Sequence, residues 1–181
     1  MDLATDRPMT LEAFLAWEEQ QEERYEFDGE RPVLMTGGTK RHNIICTNLL
    51  LLLGPQLRGS AWRPYLADIK VTPVNRSRYP DVVVGDRSVT GSETIEASPA
   101  VIFEVLSPST SRTDLVLKIA EYRTIPSLRC YVVLAQDGVA VTVHRRAKAG
   151  WIEERLADRD AVLELAEIGV RLPLGEIYSE L

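Results

Sequence analysis

The chain has 181 residues, 45% of them apolar and 27% charged, with a formal net charge of −6. This is the composition of a soluble globular protein, and its length suits one domain, 1–181, with a real core. A membrane-spanning helix is excluded, because the longest apolar run, from Leu49, falls far short of ~20 residues; a non-specific nucleic-acid coat, which needs clustered Lys and Arg, is disfavoured by the acidic balance.

The N-terminus, MDLATDRPMT, lacks the basic start and apolar stretch of a signal peptide, so a cytoplasmic location is expected. Thr10 then caps a helix over LEAFLAWEEQQEERYE, with Leu11, Phe14 and Leu15 on one face and a charged outer side. FDGERPVLM holds an Asp-Gly turn between short strands. RHNIICTNLLLLLGPQL carries apolar residues at Ile45, Leu49, Leu52 and Leu53, a helical period that Gly54-Pro55 kinks or ends. Strand character follows from Tyr65 to Val74, and PDVVVGD and AVIFEVLS read as short buried strands. TDLVLKIAEYRTI is a helix stopped by Pro126. CYVVLA and VAVTVHRR form a hairpin across QDG, and WIEERL adds a strand. LPLGEIYSEL ends the chain as a short helix with Pro173 near its first turn. His144, beside two arginines on a late strand, is expected on a solvated face. Cys46 and Cys130 lack ligand-spaced partners and are expected as buried free thiols.

Two acids stand out. Asp81 heads a run of valines, and Glu104 lies inside a second apolar strand. A carboxylate in a buried strand is costly without compensation, and two close together repel unless a cation lies between them. A hard divalent ion with oxygen ligands meets that need. Spacing alone leaves two readings open: the acids flank a metal, or Asp81 caps a turn while Glu104 pairs with a lysine. The helix after Glu104 favours the first, because Asp114, Lys118 and Tyr122 share one face of it and the chain must fold back over the strand bearing Glu104. Metal, acids and lysine together suit metal-assisted hydrolysis of a phosphoryl group.

YEFDGERPVLMTGGTKRHNII, YPDVVV and FEVLSPSTSRTDLVLKIAEY together resemble the Uma-two group of restriction-endonuclease-like proteins in the PD-(D/E)XK nuclease superfamily, and the likeness runs from MTLEAFL to LPLGEIYSEL. It implies an α/β fold with a restriction-endonuclease-like core: a central mixed sheet flanked by helices, with added hairpin strands. Asp81 matches the motif aspartate and Glu104 the motif glutamate. The resemblance places a metal, Mg²⁺ or Mn²⁺, on Asp81, Glu104 and the Val105 carbonyl. The superfamily lysine two residues after the glutamate is Leu106 here, so Lys118, which matches a lysine of the group, acts from the following helix.

Further candidates follow. Glu26 matches an acid of the group and either joins the metal site or pairs with Arg24 or Lys118. His42 also matches the group, and either joins the site or caps its helix. Asp68 and Lys70 fall on the strand before Asp81, where Lys70 can replace the missing strand lysine. Asp114 either orients Lys118 or caps the helix. The implied activity is phosphodiester hydrolysis with DNA as the partner, in a homodimer, since cutting two strands needs two sites. The rival is a catalytically silent nuclease-fold module that binds DNA or a protein.

Overall fold

A computed structural model describes residues 8–87, 91–106 and 112–181. Helix α1, Leu11–Glu18, begins where Thr10 accepts a hydrogen bond from Ala13 N on its side-chain oxygen. It is shorter than the sequence suggests, and its charged side is not all outside: Glu18 is buried with Phe14. Strands β1, Tyr25–Phe27, and β2, Pro32–Leu34, pair antiparallel as a separate hairpin. Asp28 Oδ1 accepts from the amides of Glu30 and Arg31, both at 2.8 Å, and Gly29 supplies the turn's φ of +102°.

Helix α2, Lys40–Gln56, is capped by Thr39 and runs through Gly54 to take Pro55 into its last turn. Its buried stripe is Ile45, Cys46, Leu49 and Leu53. The main sheet has six strands: β3 Trp62–Leu66, β4 Val82–Asp86, β5 Val101–Val105, β6 Cys130–Leu134, β7 Val141–Ala147 and β8 Gly150–Leu156, in spatial order as numbered. Among the described strands of this sheet only the β5–β6 pair is parallel, and helix α3, Arg112–Tyr122, lies in that connection. The first sheet strand therefore begins earlier than expected and ends at Leu66. Asp68 falls in the bend beyond it, and Lys70 holds only an isolated bridge to Ile95.

The two faces of the sheet bury separate clusters. Val82, Val84, Phe103, Val105 and Val132 pack under α2. Val83, Ile102, Tyr131 and Val133 pack with Tyr122, Ile125 and Leu128 on the α3 side. Every residue of β4 up to Gly85, and all of β5 and β6, is buried, as a strand covered on both faces must be. A hairpin missing from the sequence reading, β9 Val162–Leu165 with β10 Val170–Pro173, adds Leu163, Leu165 and Leu172 to the α2 cluster. The chain closes with α4, Leu174–Ile177, begun by Pro173. Both cysteines are free and buried. His144 is a correction: it is 3% exposed, stacked on Tyr131 with ring centroids 5.8 Å apart. Burial lowers its pKa, and the nearby Arg123 guanidinium lowers it further.

Candidate active site

Antiparallel pairing of β4 with β5 sets Val82 opposite Phe103. One step further along that register, Asp81 stands across from Glu104, so the two acids share one end of neighbouring strands. Asp81 Oδ2 accepts from Val105 N at 2.7 Å, which fixes its carboxylate against the end of β5. Glu104 belongs to the α3 side of the sheet by strand alternation, and two residues one helical turn apart reach it. Lys118 Nζ lies 3.3 Å from Glu104 Oε1, and the Tyr122 hydroxyl donates to the same oxygen at 2.7 Å.

Glu26 enters from β1. Its Oε1 accepts from Tyr79 N at 3.2 Å and lies 3.7 Å from Lys118 Nζ; its Oε2 accepts from Arg78 at 3.1 Å. Arg78 then donates through Nε and a terminal nitrogen to both oxygens of Glu121, at 2.8 and 2.9 Å. The guanidinium thus joins the β1 hairpin to α3, the helix that carries Lys118. His42 enters from α2, with Nε2 3.1 Å from Asp81 Oδ2 and Nδ1 3.7 Å from Cys46 Sγ. Glu26, His42, Asp81, Glu104, Val105 and Lys118 all line one open pocket of about 420 Å³. Val33, Leu34 and Met35 form its apolar lip, and Gly37, Gly38 and Thr39 form the wall that runs into α2.

The remaining candidates lie elsewhere. Asp68 is exposed and bonded to Arg24. Lys70 is buried, but its Nζ sits 2.8 Å from Glu18 Oε2, whose other oxygen accepts from the Tyr79 hydroxyl at 2.5 Å. It does not serve as the strand lysine. The turn residues Ser107 to Ser109 and the side chain of Asp114 lie outside the described residues. Sequence reasoning put Tyr122 on the Lys118 face of the helix without giving it a role, and left out Arg78 and Glu121 as supports of the site. Tyr122 was recoverable, because it stands four residues beyond Lys118 on the same helical face. The reach of Arg78 from Glu26 to Glu121 has no sequence signal.

Charge in the pocket is unbalanced towards the negative. The Glu104 carboxyl is pushed up to about 7 by burial, opposed by Lys118 and raised further by Asp81 and Glu26. The His42 imidazole is raised by its hydrogen bond to Asp81, with burial opposing and the charges of Asp81 and Glu104 assisting. Burial thus favours the protonated Glu104 carboxyl, and the Asp81 hydrogen bond favours the protonated His42 ring. A divalent cation would supply positive charge here, and the carboxylates of Asp81, Glu104 and Glu26, which line the pocket, are hard oxygen donors that could hold one. His42, Cys46 and Asp81 also bring ligand atoms within 4.8 Å of one another. A thiol must ionise to bind metal, and burial drives the Cys46 pKa up, with Asp81 and Glu104 adding to the effect. The buried Cys46 thiol is therefore the poorest donor of these three.

A mixed α/β sheet with two acids at one end of adjacent strands and a lysine folded over them defines a restriction-endonuclease-like fold. Residues 11–175 match the model of a family described as "Putative restriction endonuclease", and the chain belongs to that family, Uma2. Two relatives from Synechocystis sp. match nearly end to end. The protein named "Uncharacterized protein slr1290" is 32% identical, over 96% of this chain and 93% of its own length. "Uncharacterized protein sll1609" is 28% identical, over 92% and 97%. The fold matches a crystal structure described as "a putative nuclease belonging to DUF820" from Anabaena variabilis, with a TM-score of 0.80 and 19% identity over 95% of this chain and 98% of that one. No helix among the described residues is long and apolar enough to cross a membrane.

Proposed function

We propose that the protein is a metal-dependent endonuclease that hydrolyses phosphodiester bonds in DNA. The observation that carries this reading is the convergence of Asp81, Glu104 and Lys118 on one pocket from three different elements. Asp81 and Glu104 would hold the ion with the Val105 main chain beside them, and Glu26 lies within reach. When bound, Mg²⁺ or Mn²⁺ supplies positive charge to the phosphoryl group and makes water a better nucleophile. Glu104 must give up its proton for the ion to bind, so cation uptake and ionisation of this carboxyl are linked. The Lys118 ammonium carries three donors and neutralises charge that grows on phosphate oxygens. Exposed Lys40 and Arg41, in the first turn of α2 next to the Gly37–Thr39 wall, set cations where a phosphate backbone would run. Two such sites are needed to cut both strands, so we assign the active form as a homodimer.

One observation supports a second reading, a silent nuclease-fold module that binds DNA or a protein. Leu106 stands where the superfamily lysine would, packed against the core, and Lys118 is engaged by two carboxylates. One experiment separates the two readings. Purified protein with Mg²⁺ or Mn²⁺ is expected to nick supercoiled plasmid, and Asp81→Ala is expected to stop it. Equal nicking by the variant overturns the assignment. Plasmid retarded on a gel without being cut supports the module. A light-scattering mass in solution tests the dimer.

A further inference from the structure

Resting on the reading of this pocket as a divalent-cation site, we infer that His42 is itself a metal ligand and that the site takes a first-row transition ion of the Mn²⁺, Fe²⁺ and Co²⁺ class in preference to Mg²⁺. The argument begins with how the ring is held. Thr39 accepts from His42 N at 3.2 Å on its side-chain oxygen and donates to Gln136, whose amide donates to Leu106 O at 2.8 Å. The start of α2 is thereby tied to the segment that leaves β5. From there His42 and Cys46, one turn apart, face the sheet.

Both nitrogens of the ring are directed. Nδ1 faces the Cys46 sulfur at 3.7 Å, and Nε2 faces Asp81 Oδ2 at 3.1 Å. A metal-bound histidine has this layout, with one nitrogen on the ion and the other held by a neighbour that fixes the ring. The spacing suits an ion as well. Octahedral ligands at about 2.1 Å from a metal lie about 3 Å from their nearest companions. An ion set to one side of the Nε2–Oδ2 line, in place of the shared proton, would leave both atoms near where they stand. Glu104 lines the same pocket, and a turn of its side chain would add carboxylate oxygen to the His42 nitrogen and the Asp81 oxygen.

That set has a preference. Mg²⁺ favours oxygen ligands and parts with its water reluctantly. Imidazole nitrogen raises affinity along the first-row series, while the carboxylate majority keeps the site suited to its harder members. Cys46 takes the part of a thiol that orients the ring, so no thiolate is present to draw the site towards Zn²⁺.

The test uses the full chain and two metals. Free Mn²⁺ is followed by its EPR signal during titration, with Mg²⁺ as competitor. The wild type is expected to favour Mn²⁺ over Mg²⁺ by roughly tenfold or more, and His42→Gln to lose most of that preference. A pulsed EPR spectrum of the Mn²⁺-loaded wild type is expected to show coupling to one imidazole nitrogen, a readout that needs no variant to fold. No nitrogen coupling, or an unchanged preference in His42→Gln, overturns the inference. If Asp81→Asn in the same assay loses both ions while His42→Gln is unchanged, the cation site stands without the histidine. A wild type that binds neither ion removes both this inference and the nuclease reading.

Discussion

The hydroxyl of Tyr122, on a fully buried ring, donates to Glu104 Oε1 at 2.7 Å, and Lys118 approaches the same oxygen from one turn earlier in α3. Helix and strand are thus joined through a single carboxylate. Tyr122→Phe keeps the ring's packing against Tyr131 and removes only the hydroxyl. Because the acceptor is buried, the expected cost is about 1–3 kcal/mol by urea unfolding. The bond also favours the ionised carboxyl, so its loss moves the Glu104 pKa further up from about 7. The pH midpoint of Mn²⁺ binding is therefore expected to rise in the variant. A midpoint that stays or falls would show that Tyr122 does not set the acidity of Glu104.

The raised carboxyl has a stability consequence of fixed sign. A group whose pKa is higher folded than unfolded contributes stability that is complete below its unfolded pKa and lost as pH rises through the folded one. For Glu104 the window runs from an ordinary carboxyl value of 4.5 to about 7. The loss across it is on the order of 3 kcal/mol. His42, also raised, adds loss of the same sign above 6.5. His144, lowered by burial, acts oppositely: its contribution is present above 6.5 and fades as pH falls. Metal-free wild type is therefore expected to unfold at lower urea at pH 8 than at pH 5.5. Glu104→Gln, which cannot ionise, is expected to lose most of that dependence and to match or exceed the wild type at pH 8. An unchanged pH dependence in the variant would remove Glu104 as its source.

How much of this was legible in the sequence depends on whether a residue's partner was near in the chain. Asp81 and Glu104 stand out because each interrupts or heads an apolar run. Lys118 follows because a helix after a strand must fold back over it. Glu18 was misread, since alternation with Glu19 and the acids beyond resembles a solvated face. Its partners, Lys70 and Tyr79, lie more than fifty residues away. Lys70 was misplaced for the same reason. His144 was assigned to water by its arginine neighbours, but strand alternation turns it onto Tyr131. The β9–β10 hairpin escaped because each strand has four residues, and Glu164 and Arg171 interrupt its apolar pattern.

Lys118→Met tests the displaced lysine. Its ammonium sits 3.3 Å from Glu104 and 3.7 Å from Glu26, and it opposes the rise in the Glu104 pKa. Removing it takes away both charge stabilisation at the phosphate and support for an ionised Glu104. Plasmid nicking is expected to fall by about 10²–10³. Part of that loss should be recovered at higher pH, where Glu104 ionises without help. A loss of twofold or less at every pH would place the ammonium outside the reaction.

Lys70→Met asks the opposite question of the other buried lysine. The pair with Glu18 is 5% and 6% exposed at the side chains, so neither charge has much water to fall back on. Deleting the cation leaves Glu18 buried with the Tyr79 hydroxyl as its remaining partner. Removing one member of a buried pair costs about 3–5 kcal/mol, more than the methionine side chain recovers by packing. The double variant Glu18→Gln, Lys70→Met leaves no buried charge and should regain most of that loss. Since Lys70 does not line the pocket, nicking by the folded single variant is expected to stay within about twofold of wild type, well inside the tenfold that 1.4 kcal/mol would produce. A specific loss of nicking with unfolding unchanged would instead return Lys70 to the site as the missing strand lysine.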